Sequence, residues 1–271
     1  MSTGRPYGNR DITASGALTC GFGPGPLTNL VGGKDNFAAD REAAEKAMQA
    51  HPDVVAAARA NRAFLGRAVR FLAAEAGIRQ FLDIGTGIPS AGNTHEVAQG
   101  VAPESRVVYV DNDPIVLAHA RALLTSAPEG RTAYLDADAR DLDTILARAP
   151  GTLDFSQPVA IMLLAILHVI EDPYAITSRL LHAVPAGSYL AISIPASDIQ
   201  PEANAAAVRR LAENVPGITI AHRSHAEVAR FFDGLELLEP GVVPANRWRP
   251  GPGGPDPAHD LPCYAAVGRK R

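Results

Sequence analysis

Three aspartates and two glycines carry the chemistry legible in this chain. Asp83, Gly85 and Gly87 stand together in Q-F-L-D-I-G-T-G-I-P, Asp111 closes R-V-V-Y-V-D, and Asp138 lies in D-A-D-A-R-D. Glycine has no β-carbon, so backbone at Gly85 and Gly87 can press close to a bound molecule. A carboxylate such as Asp111 accepts two hydrogen bonds at once, which suits the paired hydroxyls of a ribose. Asp111 lies 24 positions beyond Gly87, close to the roughly 20 residues expected of a ribose-binding acid in a nucleotide-binding βαβ unit.

A dinucleotide fingerprint needs a further glycine, so that a diphosphate can meet the start of the next helix. Ile88 and Pro89 stand there instead, and Asp83 beside the loop would repel a diphosphate. The same carboxylate accepts hydrogen bonds from an ammonium group. The ligand suggested is nucleoside-like, cationic and free of phosphate, and S-adenosylmethionine answers that description. A nicotinamide dinucleotide is the competing ligand; a turn that binds nothing is the plain reading. Lys34 in G-G-K-D-N-F lacks the G-x-x-x-x-G-K-[ST] spacing of a phosphate loop. His222 and His225 have no convincing partner ligands, so they read as surface residues and no metal site is assigned.

These residues need a sheet to hold them. Residues 80–84, 106–110, 132–135, 159–164 and 188–194 read as strands, the fourth nearly continuous in apolar residues, as a strand buried on both faces should be. Helices alternate with them. Asp113-Pro114 and Asp172-Pro173 each open one, with proline in the first turn, and Ser224 with Glu227 makes a capping box. Five strands alternating with helices imply a doubly wound α/β sheet. L-E-L-L-E-P-G-V-V and Y-A-A-V-G-R-K add a closing antiparallel pair, joined by a Pro/Gly-rich excursion over 249–262. Ahead of the sheet, residues 1–31 read as an irregular arm and 32–77 as a helical extension. That extension holds one helix over 37–49 and a second to residue 76, for which Asp53 is the expected cap. Residues 78–271 form the main domain.

Composition sets bounds. A length of 271 residues with 46% hydrophobic content supports one sizeable core. A formal charge of −4 argues against bulk attraction to nucleic acid or an anionic membrane. Two cysteines, Cys20 and Cys263, are too few for a disulfide scaffold, which implies a reducing compartment. No signal-peptide core is present at the start, and the apolar run 158–170 is too short to span a bilayer. The expectation is a soluble, cytoplasmic protein.

Five stretches together, F-L-D-I-G-T-G-I-P, V-V-Y-V-D-N-D-P, D-A-D-A-R-D, L-L-A-I-L-H-V-I and Y-A-A-V-G-R-K, resemble a class I S-adenosylmethionine-dependent methyltransferase. G-G-K-D-N-F-A-A-D-R-E-A-A-E and A-N-R-A-F-L-G-R-A-V-R narrow the resemblance to a bacterial S-adenosyl methyltransferase family once catalogued as a domain of unknown function. The likeness runs over roughly 32–270. It implies a Rossmann-like, mostly parallel seven-stranded sheet of order 3-2-1-4-5-7-6, the last strand antiparallel, with the cofactor over strands one to four. One departure stands out: P-L-T-N-L replaces the family's Tyr-rich lead.

On that resemblance, Asp83, Gly85, Thr86 and Gly87 hold the methionine end of S-adenosyl-L-methionine. Asn93, Thr94 and His95 reach its carboxylate from a helix start, where free N–H groups favour anions; simple helix capping is the alternative for Asn93 and Thr94. Asp111 takes the ribose, Asn112 flanks the adenine, Asp138 accepts from the adenine amino group with Ala139 stacking nearby, and Leu164 lines the same cleft. His168, after strand four, is either a base that removes a proton from the methyl acceptor or a hydrogen-bonded structural histidine. Asn36, Phe37 and Arg62 are assigned to a lid, and Asp198 to substrate or a turn. The implied activity is methyl transfer to a small molecule; the alternatives are a binding protein without turnover and an oxidoreductase.

Overall fold

The computed structural model describes residues 53–87, 91–123, 125–214, 220–251 and 259–271. The expected arm over 1–31, the helix over 37–49, and Asn36 and Phe37 lie outside the described residues. The first half runs α1 (Val54–Ala74), β1 (Gln80–Ile84), α2 (Thr94–Val101), β2 (Arg106–Asp111), α3 (Pro114–Leu123), β3 (Arg131–Asp136) and α4 (Leu142–Arg148). The second half runs β4 (Ala160–Leu164), α5 (Pro173–His182), β5 (Tyr189–Pro195), α6 (Pro201–Asn214), α7 (His225–Ala229), β6 (Leu235–Leu237), β7 (Val243–Pro244) and β8 (Cys263–Lys270).

The strands form one sheet of order β3-β2-β1-β4-β5-β8-β6, with β7 also on β8. Strands β1 to β5 pair in parallel, and β8 runs antiparallel to β5. This is the Rossmann-like order expected, with one difference: the sixth strand is two. Pro240 has no N–H to give to a ladder, and Gly241 turns at φ +85. The chain therefore leaves β8 after Leu238, whose N–H still donates to the Val267 carbonyl at 2.9 Å, and rejoins it at Val243, so the sheet counts eight strands.

Strand alternation sorts the core into two faces. Leu82, Ile84, Val108, Val110, Ile161 and Leu163 point one way, into a cluster with residues of α4 and α5. Phe81, Val107, Tyr109, Met162 and Leu164 point the other way, into a cluster with α1 and α2. By the same period of two, Asp83 and Asp111 belong to that second face. Among the described residues, no helix is long and apolar enough to cross a membrane.

Helix α1 roofs the second face. Phe64, Ala68, Val69 and Leu72 recur at helical spacing and are fully buried. Gly77, at φ +70, reverses the chain, and the Ile78 N–H returns to the Leu72 carbonyl at 2.8 Å. Asp53 stands at the cap position, but its side chain makes no cap bond; its Oδ2 accepts instead from Gln200 Nε2 at 2.7 Å. The far side of α1 is latched to the segment before β8. Arg67 donates from Nε to the Trp248 carbonyl at 2.7 Å and from Nη2 to that of Ala245 at 2.6 Å. The Trp248 ring meets Phe64 edge-on, centroids 5.2 Å apart. Because Trp248 is wholly buried, Trp248→Ala should destabilise the fold by about 3–5 kcal/mol, read from urea denaturation. A loss below about 1 kcal/mol would mean that the roof does not depend on this latch.

Candidate functional site

Strand β1 delivers Asp83 into the second face, where it is 4% exposed. Its Oδ2 accepts from Thr94 Oγ1 at 2.6 Å, so Thr94 supports the carboxylate from the start of α2. The chain then turns through Gly85 at φ +77 and Gly87 at φ +67. Gly85 is required twice over, since a β-carbon there would come within 2.7 Å of the Ile166 side chain. Among the described residues, a β-carbon on Gly87 would meet nothing within 4 Å. The Gly87 N–H donates to Asp111 Oδ2 at 2.9 Å and ties the loop to the end of β2. The Thr86 hydroxyl lies 3.4 Å from the carbonyls of Asp83 and Val110.

At the start of α2, Asn93 caps the helix in a capping box with Glu96, the alternative kept for it. Glu96 Oε2 accepts from the N–H groups of Gly92 at 2.6 Å and Asn93 at 3.0 Å. The His95 N–H donates to the Tyr109 hydroxyl at 2.8 Å, and His95 Nδ1 lies 2.8 Å from the same oxygen. The N–H groups of Gly92 and Asn93, just before the helix, and that of His95 within it are therefore taken by the protein itself. His95 is buried edge-on against Tyr109 rather than turned to the loop. Asn93 Oδ1 accepts from Arg62 Nη2 at 2.8 Å, and the same nitrogen reaches the Ala91 carbonyl at 3.2 Å. Arg62, assigned to a lid, thus spans from α1 to this corner, near enough to feel the charges of Asp83 and Glu96.

At the ends of β2 and β3 the other acids converge. Asp111 Oδ1 accepts from the Asp113 N–H at 3.0 Å, so both of its oxygens are oriented by backbone. Asn112 Nδ2 donates to Asp138 Oδ2 at 3.3 Å, bridging the two strands. Ala139 packs partly buried behind them. Asp138 is also gripped by Arg140, which holds its carboxyl below the usual range.

Strand β4 ends at Leu164, after which Ala165 adopts φ +52, unusual for a residue with a side chain. Its N–H is held by Ser193, through the carbonyl at 2.9 Å and Oγ at 3.0 Å. The following turn, Leu167–Val169, carries His168 at 1% exposure. The Ala221 N–H fixes the His168 carbonyl at 2.8 Å, and Arg223 Nη1 fixes that of Leu167 at 3.2 Å. Asp198 Oδ2 accepts from the His225 N–H at 2.8 Å at the start of α7, and its carboxylate meets Tyr264.

Sequence reasoning missed Glu96, Ile166, Ser193 and Arg140. Asn93 and Glu96 stand at capping-box spacing, and Asp138-x-Arg140 allows a local fork, so two of these had a signal. Nothing in the sequence pairs Ile166 with Gly85 or Ser193 with Ala165.

A family model described as S-adenosyl methyltransferase matches residues 28–271. The chain belongs to that family. A crystal structure of a DUF574 family protein from Streptomyces avermitilis is 46% identical, with a TM-score of 0.88 over 97% of this chain and 100% of that one. A candidate methyltransferase from Thermobifida fusca is 39% identical, with a TM-score of 0.83 over 96% of this chain and 97% of that one. The plantazolicin methyltransferase BpumL, at 11% identity and a TM-score of 0.53, covers 92% of this chain and 96% of its own, and shares the fold. No curated protein matches.

In this member of the S-adenosyl methyltransferase family, burial dominates the charges around the loop. It raises Asp83 to about 6, against the Thr94 bond and the Arg62 charge, and it lowers Arg62. It raises Asp111 as well. An acid whose folded pKa lies above its ordinary 3.8 binds its proton more tightly in the folded chain. Its stabilising contribution is complete below 3.8 and is lost as pH rises through about 6. Asp83→Asn keeps an oxygen for Thr94 and removes the charge. It should leave the chain more stable than wild type at neutral pH, by on the order of 3 kcal/mol, with the two converging in acid. Parallel stability curves across that range would show that Asp83 titrates as an ordinary carboxyl.

Proposed function

We propose that this chain binds S-adenosyl-L-methionine at the carboxyl ends of β1 to β4 and transfers its methyl group in line to a small-molecule acceptor. The observation that carries the reading is the charge pattern at the glycine loop. Two carboxylates, Asp83 and Asp111, flank it on one face of the sheet, and Glu96 already occupies the N–H groups of Gly92 and Asn93. A diphosphate needs donors and meets acceptors there, which weighs against a dinucleotide. A cationic nucleoside suits the same groups.

The residues fit the cofactor. Asp83 would accept from the ammonium, Asp111 from the ribose hydroxyls, and Asp138 with Asn112 would border the adenine, with Leu164 and Ala139 as apolar lining. Among the described residues, Gly87 faces open space, room that a side chain would narrow. The cofactor, when bound, supplies a methyl group already activated on a sulfonium. The protein's part is then mainly to align donor and acceptor and to exclude water. The turn after β4, fixed by Ser193, Ala221 and Arg223, forms the wall nearest the acceptor, and His168 is the residue proposed to take a proton from it.

Asp111→Ala should weaken binding of S-adenosyl-L-homocysteine by about 1–3 kcal/mol, measured by calorimetry; unchanged affinity would remove Asp111 from the site. A labelled-methyl screen against metabolite extracts identifies an acceptor. With that acceptor, His168→Ala should lower kcat about 100-fold, whereas near-normal turnover would reduce His168 to a buried part of the wall.

A further inference from the structure

Arg140 has no role in the site as described, yet it makes the closest polar contacts at the adenine end. Asp138 Oδ1 accepts from the Arg140 backbone N–H at 2.8 Å and from its Nε at 2.8 Å. Asp138 Oδ2 accepts from Arg140 Nη2 at 2.5 Å and from Asn112 Nδ2 at 3.3 Å. A carboxylate has about four acceptor directions, and here all four are in use. They are not equal. Three belong to one residue two positions away, as a backbone bond plus a side-on guanidinium fork, and the fourth, to Asn112, is the longest.

A donor arriving from the cleft would replace the weakest of these bonds. Oδ1 is closed by two short bonds, so entry is confined to the Asn112 side of Oδ2. An exposed ion pair such as Arg140–Asp138, with side chains 60% and 29% exposed, contributes little to stability. The fork's effect is geometric: it fixes the plane of a carboxylate that is ionised at neutral pH in any case, hence an acceptor only. An acceptor that cannot become a donor distinguishes a 6-amino purine from a 6-oxo purine, since the first donates at that position and the second accepts.

We propose that Arg140 is a positioning residue for purine selection: by forking Asp138 it leaves one direction, now held by Asn112, for the 6-amino group of the cofactor's adenine. This inference rests on the cofactor reading given above and deepens it. Asn112 is released as the amine enters, so the two strand ends stay bridged, through the purine instead of the amide.

The test compares S-adenosyl-L-homocysteine with S-inosyl-L-homocysteine by calorimetry on the full chain. The two probes share ribose and homocysteine, so their affinity ratio is insensitive to general loss of fold. Wild type should prefer the adenosyl form about 10- to 100-fold. Arg140→Ala should cut the ratio to about threefold or less, and Arg140→Lys, which keeps the charge without the fork, should fall between. A wild-type chain that binds neither probe overturns the cofactor reading and this inference with it. A wild-type preference that persists unchanged in Arg140→Ala overturns the inference alone and leaves the cofactor reading standing.

Discussion

Strand β1 is buried along its whole length, and yet it ends with a carboxylate in the apolar face. That group must be satisfied where it lies, because burying an unpaired charge costs far more than a single contact returns. The Thr94 hydroxyl meets Asp83 Oδ2, and this bond, with those from His95 to the Tyr109 hydroxyl, holds the start of α2 against the sheet. Helix α2 in turn sets where Glu96 reaches and where Asn93 meets Arg62. The glycine loop is held separately, by the Gly87 N–H on Asp111 at the end of β2.

The charge arrangement around the loop has two parts of different character. Asp83 is buried and its charge is costly; Asp138 is partly exposed and its charge is supported by a guanidinium. Between them Asp111 is oriented by two backbone N–H groups. Acceptors therefore stand in a row along the carboxyl ends of β1, β2 and β3. Such a row favours a ligand that brings donors and positive charge, and it does so before any residue moves.

Much of this was legible in the sequence because it depends on local period and on single residue types. Strand alternation put Asp83 and Asp111 on one face, and the glycines marked the turn. The parts that were not legible depend on contacts across the chain or on a choice between two local partners. His95 sits one residue past Thr94 on the same short helix, and only the position of Tyr109 on β2 shows that it turns inward. Asp198 and His225 are 27 residues apart, and no spacing rule joins them. The split of the sixth strand was signalled by Pro240 and Gly241, but the apolar residues on both sides of them concealed it.

The latch between Arg67 and Trp248 joins residues 181 positions apart. During synthesis the roof helix therefore emerges long before its fastening exists, and every strand from β1 to β5 is made in the interval. Contacts of such long range form late. Until residue 248 leaves the ribosome, the apolar stripe of α1 has the growing sheet as a partner but no closure on its outer side. The last quarter of the chain, which adds little to the row of acids, thus decides when the roof helix acquires its finished packing.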